Sequence, residues 1–160
     1  MIIKNGTINI NSVDDGIRGK DYLIIKDGKI NITSKGDALK SDNEDEPTKG
    51  YIFIESGNID IKSEKDSISA KTDLLIKNGT INIVSGNGSE TKVSDDISTK
   101  GLKGLANIII DNGTFKIDAS DDSIHSNKNV TINGGTFNIS SGDDGIHSDE
   151  KIDINGGSIE

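Results

Sequence analysis

Apolar residues along this chain stand at alternate positions in short runs, and the runs recur with a period of 22 residues. A marker glycine, often preceded by Asn or Asp, opens each unit's second run: Gly6, Gly28, Gly57, Gly79, Gly113, Gly135 and Gly157. The steps between them are 22, 29, 22, 34, 22 and 22, so a 22-residue unit is interrupted twice, by seven and by twelve residues. Self-similarity at such a fixed period indicates a stack of units rather than a closed globule.

Five columns are apolar almost throughout. Two precede the marker, at five residues (Leu23, Ile52, Leu74, Ile108, Val130, Ile152) and at three (Ile3, Ile25, Ile54, Ile76, Ile110, Ile132, Ile154). Two follow it, at two residues (Ile8, Ile30, Ile59, Ile81, Phe115, Phe137, Ile159) and at four (Ile10, Ile32, Ile61, Ile83, Ile117, Ile139). The fifth is Ile17, Leu39, Ile68, Leu102, Ile124 and Ile146. A spacing of two marks a strand with one buried face, β-branched residues suit it, and Gly and Asn supply turns. Three short strands per unit describe one coil of an all-β, right-handed parallel β-helix. About seven coils stacked at ~4.8 Å span roughly 34 Å. Each inward Ile contributes about 1.5–3 kcal/mol by burial. One coil cannot close a core, so stability comes from stacking.

Residues 1–160 read as a single domain, with acidic loop insertions near 41–49 and 86–98 that are expected to project from the shaft. The first follows the third strand of its coil and the second precedes it. The chain opens and stops inside a repeat, and reads as a piece of a longer stack with any signal or anchor outside it. Uncapped ends predict end-to-end association or flanking domains.

Composition narrows the partners. Net charge is −9, which disfavours nucleic acid and anionic membranes. No apolar run approaches the ~20 residues of a membrane-spanning helix. Cysteine is absent, which removes disulfides, thiolate metal sites and a Cys nucleophile. The aromatics are two Tyr and three Phe, so isoleucine carries the burial.

Nine residues after the marker stand Asp15, Asp37, Asp66, Asp122 and Asp144, with Lys100 in the long fourth coil; Asp14, Asp121 and Asp143 stand one earlier. Stacking brings such carboxylates ~5 Å apart. They repel by roughly 3–4 kcal/mol at an effective dielectric near 20, and by about 1 in bulk water. Calcium, which takes six to eight oxygens, reverses that sign. The expected metal sites are Asp121, Asp122, Asp143 and Asp144 together, and Asp14, Asp15 and Asp37 together. Asp66 is expected to be neutralised by Lys100. The competing reading is solvated Asx turns.

The position after the fifth apolar column reads Arg18, Lys40, Ser69, Lys103, His125 and His147. These basic groups suit either a ligand carrying carboxylates, such as a uronic-acid polymer, or solvated pairing with the acidic row. The His pair is also a potential transition-metal donor set. Four residues before the marker, Ile2, Ile24, Phe53, Leu75 and Ile109 should point outward, with Tyr22 and Tyr51 on the same side. Such an apolar row marks a contact surface: a second subunit, a flanking segment, or a polysaccharide on the tyrosines.

The units around Ser123-Ile124-His125-Ser126 and Gly142-Asp143-Asp144-Gly145-Ile146-His147-Ser148, each followed by Asn-Gly-Gly, resemble the bacterial calcium-binding parallel β-helix family of carbohydrate-binding domains. The run Asp95-Asp96-Ile97-Ser98-Thr99-Lys100-Gly101-Leu102-Lys103 resembles that family's variant coil. The coils with Gly36-Asp37-Ala38-Leu39 and Lys65-Asp66-Ser67-Ile68 depart from the pattern. The resemblance implies a polysaccharide-lyase-like fold, an extracellular or cell-surface location, and binding of cellulose or acidic plant sugars. It implies calcium at Asp14, Asp15, Asp121, Asp122, Asp143 and Asp144. The reading is therefore a non-catalytic, calcium-binding carbohydrate-binding module. A rigid surface stalk or adhesin spacer is the alternative. A calcium-dependent pectate lyase is disfavoured, because a catalytic site would break the repeat and Arg18 is the one arginine.

Overall fold

A computed structural model describes residues 1–94 and 96–160; Asp95, within the second insertion and the variant-coil run, lies outside the described residues. Among the described residues, twenty strands form seven coils. Coil one holds β1 (Ile2–Ile3), β2 (Thr7–Ser12) and β3 (Ile17–Arg18); coil two holds β4 (Tyr22–Ile25), β5 (Lys29–Ser34) and β6 (Leu39–Ser41). Coil three holds β7 (Tyr51–Ile54), β8 (Asn58–Ser63) and β9 (Ile68–Ala70); coil four holds β10 (Leu74–Ile76), β11 (Thr80–Ser85) and β12 (Leu102–Gly104). Coil five holds β13 (Asn107–Ile110), β14 (Thr114–Ala119) and β15 (Ile124–Ser126). Coil six holds β16 (Asn129–Ile132), β17 (Thr136–Ser141) and β18 (Ile146–Ser148), and the seventh holds β19 (Lys151–Ile154) and β20 (Ser158–Ile159).

Every third strand pairs in parallel with its counterpart in the neighbouring coil. The first sheet runs β1-β4-β7-β10-β13-β16-β19, the second β2-β5-β8-β11-β14-β17-β20, and the third β3-β6-β9-β12-β15-β18. The chain is a right-handed parallel β-helix, the hand that crossovers between parallel strands take.

The apolar columns are the core. Leu23, Ile52, Leu74 and Ile108 stack in register, as do Ile30, Ile59, Ile81 and Phe115, and all are fully buried or within 1% of it. Phe115 and Phe137 stack inside the shaft with ring centroids 4.5 Å apart. At the two ends the same columns are less covered: Ile152, Ile154 and Ile159 are 38–53% exposed.

The marker glycines also form a column, and their backbone explains the residue. Gly28 has φ +131°, and a Cβ there would meet the Gly6 carbonyl oxygen at 2.8 Å. That carbonyl accepts the Lys29 amide at 2.8 Å, and the bond repeats from Asn58 to Gly28 and from Thr80 to Gly57. Glycine alone takes this conformation without strain and lets the coils approach.

Neither insertion simply projects. The first, residues 42–50, is pinned by buried Asn43. Its Nδ2 donates to Asp21 Oδ1 at 2.6 Å, and its Oδ1 accepts the amides of Asp45 and Glu46. The second, residues 86–101, starts on three positive-φ residues, Gly86, Asn87 and Gly88. It is tied down by the Ser89 amide on Asp118 Oδ1 at 2.7 Å and by Ser120 Oγ on Thr99 Oγ1 at 2.8 Å. An acidic insertion reads as solvated from composition alone, but its unpaired amides need acceptors and find them on the shaft.

Ile76, 1% exposed, and Ile109, 37% exposed, separate inward from outward positions on the first sheet. Ile76→Ala is expected to cost about 2–5 kcal/mol in urea unfolding, and Ile109→Ala within about 0.5 kcal/mol.

Candidate functional site

The aspartate column lies in the turns leading into the third sheet, and its carboxylates are used within the chain. In four of its five aspartates one oxygen receives the amide of the next coil. Asp15 Oδ1 accepts from Asp37 at 3.0 Å, Asp37 Oδ1 from Asp66 at 3.2 Å, Asp66 Oδ1 from Lys100 at 2.8 Å, and Asp122 Oδ1 from Asp144 at 3.0 Å. The second oxygen faces a basic side chain. Lys40 Nζ lies 2.8 Å from Asp37 Oδ2 and 3.1 Å from Asp15 Oδ2. Lys103 Nζ lies 2.8 Å from Asp66 Oδ2, His125 Nδ1 2.6 Å from Asp122 Oδ2, and His147 Nδ1 3.0 Å from Asp144 Oδ2.

Two sequence assignments change. Asp66 is neutralised by Lys103, while Lys100 gives it only a backbone N–H. The Lys100 ammonium turns the other way, hydrogen bonding Asp121 Oδ2 and lying 3.8 Å from Asp122 Oδ2. A lysine in the aspartate column offers no side-chain acceptor, so the Asp122 amide donates to Asp121 Oδ1 at 2.9 Å instead. Arg18 also departs from the column's habit: its guanidinium pairs with Asp42 of the first insertion at 2.7 Å.

Burial is the largest influence on the Asp37 carboxyl and pushes it up, against the hydrogen bond from Lys40. Burial works to lower the Lys40 ammonium, but Asp37 and Asp15 outweigh it and hold it above its ordinary value. Burial also works to raise Asp122; the hydrogen bonds from His125 and the Asp144 amide, with Lys100, hold it below the usual carboxylate range. His147 is raised, first by its hydrogen bond with Asp144 and then by Asp149.

Among the described residues, two groups of side chains bring potential metal-donor atoms within 4.8 Å of one another: Asp121 with Asp122 and Asp143, and Asp122 with His125 and His147. The first is part of an expected calcium set. Lys100 is already bound there, as Lys40 is between Asp15 and Asp37. Asp14 and Asp143 are exposed. In the second group the imidazoles stack with centroids 4.8 Å apart, and their Nε2 atoms face Asn127 and Asp149. Both nitrogens of each ring are thus occupied.

The outward row on the first sheet is in register as expected, Ile2 with Ile24, Ile24 with Phe53, Phe53 with Leu75, and Leu75 with Ile109. Tyr22 and Tyr51 stack on each other with centroids 5.7 Å apart and ring planes 20° apart. The facing sides of the rings cover each other, so the pair does not offer two open faces side by side for sugar rings.

A feature absent from the sequence reading lies on the second sheet. The outer faces of β2, β5, β8, β11 and β14 line a surface groove of about 830 Å³. Its polar row is Asn9, Asn31, Asp60, Asn82 and Lys116, in register along the shaft. Asn31 Nδ2 donates to Asn9 Oδ1 at 2.6 Å, and Asn82 Nδ2 to Asp60 Oδ1 at 2.7 Å. Beside it run Asn11, Thr33, Lys62, Val84 and Asp118. The signal was present as a polar column three residues after each marker glycine, between two isoleucine columns. A second pocket, of about 670 Å³, lies between the second insertion and the turns of Asp121 and Asp143.

The model of a family described as carbohydrate-binding domain-containing protein matches residues 1–145 and again 128–160. No curated protein and no solved structure matches the chain.

Removing the His125 hydrogen bond is expected to raise the Asp122 carboxyl toward its ordinary range. A carboxylate held low in the folded state stabilises above its unfolded pKa, and that contribution is lost as pH falls through the folded value. His125→Leu should therefore be less stable than the parent at pH 7, with the difference narrowing below about pH 4. A carboxyl-carbon NMR titration of Asp122 and unfolding at both pH values check this.

Proposed function

The chain belongs to the family of carbohydrate-binding domain-containing proteins, and we propose that it binds a neutral polysaccharide, without catalysis, in the groove on the second sheet. The observation that carries this reading is the register of the polar row: Asn9, Asn31, Asp60, Asn82 and Lys116 repeat once per coil. A sugar hydroxyl both donates and accepts, and amide side chains answer both roles. A glycan lying along the shaft meets a fresh polar group every ~4.8 Å, so weak contacts add along the polymer.

Charge favours a neutral polymer over a polyuronate. The ionised residues lining the groove are Asp60 and Asp118 against Lys62 and Lys116, which balance, while the whole chain carries −9. Of the basic column offered by the sequence for ligand carboxylates, Arg18, Lys40, Lys103, His125 and His147 all face acidic side chains of the chain itself. The same engagement of Arg18 and these lysines speaks against a lyase base. A polysaccharide of this kind is met outside the cell or on its surface, where we expect the chain to act. A rigid stalk is the second reading, favoured by the outward apolar row on the first sheet, half-buried at Ile24, Phe53 and Leu75 and exposed at Ile2 and Ile109.

Affinity electrophoresis tests the proposal. Retardation is expected in gels holding a soluble neutral β-glucan, and weaker retardation with polygalacturonate. Asn31→Ala with Asn82→Ala should lower affinity about tenfold, from two hydrogen bonds of about 0.5–1.5 kcal/mol each. Arg18→Ala should change nothing. No retardation by any neutral glycan would leave the stalk.

A further inference from the structure

The aspartate turns do not have the layout that a bridging calcium needs. Such an ion requires six to eight oxygens, yet each of Asp15, Asp37, Asp66 and Asp122 has committed one oxygen to a backbone amide of the next coil. In each expected calcium set a lysine ammonium reaches two of the carboxylates. Lys40 reaches Asp15 and Asp37 of adjacent coils at once. Lys100 reaches both Asp121 and Asp122 from the coil before theirs. Lys103 completes Asp66 and is itself held by Ser98 Oγ at 2.8 Å.

We infer that this β-helix is neutralised from within: Lys40, Lys100 and Lys103 hold the places of a divalent ion along the aspartate column, and the fold requires no calcium. The position of Lys100 carries the argument furthest. It occupies the column's own aspartate slot, where a carboxylate would lie between those of Asp66 and Asp122. A lysine removes that repulsion and supplies the counter-charge for the next turn. Its side chain is only 14% exposed, so the ammonium is fixed in place rather than waving in solvent. The acceptor lost with the aspartate is replaced by the adjacent Asp121, which takes the orphaned Asp122 amide. Lysine and its compensating neighbour therefore work as a pair. This inference is independent of which glycan the groove takes.

Thermal unfolding of the full chain decides it. The parent protein should melt at the same temperature in chelator and in millimolar calcium, with no calorimetric heat on calcium addition. Lys100→Met should melt several degrees lower in chelator, and calcium should restore part of that loss, because the carboxylates of Asp121, Asp122 and Asp143 are left clustered without their cation. Lys100→Arg, which keeps the charge, should stay near the parent. The parent experiment stands even if Lys100→Met fails to fold. A parent whose melting temperature rises with calcium, an unchanged Lys100→Met, or a folded variant insensitive to calcium would each overturn the inference.

Discussion

Backbone hydrogen bonding from each coil to the next is the constraint on which this molecule depends. The amide of Lys29 reaches the carbonyl of Gly6, that of Asn58 reaches Gly28, and that of Thr80 reaches Gly57. Because the bonds run parallel and in register, a residue cannot choose its neighbours: it lies against its own equivalents above and below. Isoleucine profits, since one branched shape packs repeatedly on itself. Glycine is required at the marker, because the carbonyl of the preceding marker lies where a side chain would begin. The insertions of seven and twelve residues are tolerated only because they leave the register of the strands on either side intact.

The same constraint sets a problem for every polar column, and the chain solves it in two ways. Where the group is an amide, neighbours bond to each other: Asn31 to Asn9, Asn129 to Asn107, and Asn155 to Asn133. Where a carboxylate must be stacked, an amide often stands next to it, as Asn82 does on Asp60 and Asn133 on Asp111. The aspartate turns lack that relief, since carboxylates follow one another. There a backbone N–H takes one oxygen and a basic side chain three residues further along the chain takes the other, as Lys40 does for Asp37 and His125 for Asp122. Stacked like charges need not indicate a metal when the chain carries its own counter-ions at the same period.

Most of the fold was legible because burial is periodic. The five apolar columns and the outward row from Ile2 to Ile109 follow from counting residues. What counting misses is the direction of long side chains. Lys100 aligns with the aspartate column, so it reads as the partner of Asp66, yet its ammonium points to the following coil and Lys103 serves Asp66. Asn43 looks like one polar residue in an acidic loop, yet it is buried and organises that loop. The groove escaped for the opposite reason. Asn9, Asn31, Asp60 and Asn82 are ordinary outward residues singly, and only the arrangement of five strands makes them walls of a common depression.

The three faces of the shaft divide the work. On the turns into the third sheet, polar groups are consumed by the chain, and a ligand carboxylate arriving there would have to displace an internal partner. On the first sheet the outward row is apolar and the tyrosines cover one another, which suits a protein surface better than a sugar ring. The second sheet differs from both. Six of its strands, β2, β5, β8, β11, β14 and β17, are the longest, at six residues, and Lys62 and Lys116 stand exposed at the groove. Among the described residues no salt bridge engages either lysine, so these donors remain open to a ligand. A repeating polymer needs spare donors and acceptors on successive coils; Asn31 and Asn82 spend one amide hydrogen each on a neighbour and keep their remaining polar atoms, which with Lys62 and Lys116 is the ground for placing the proposed ligand in the groove.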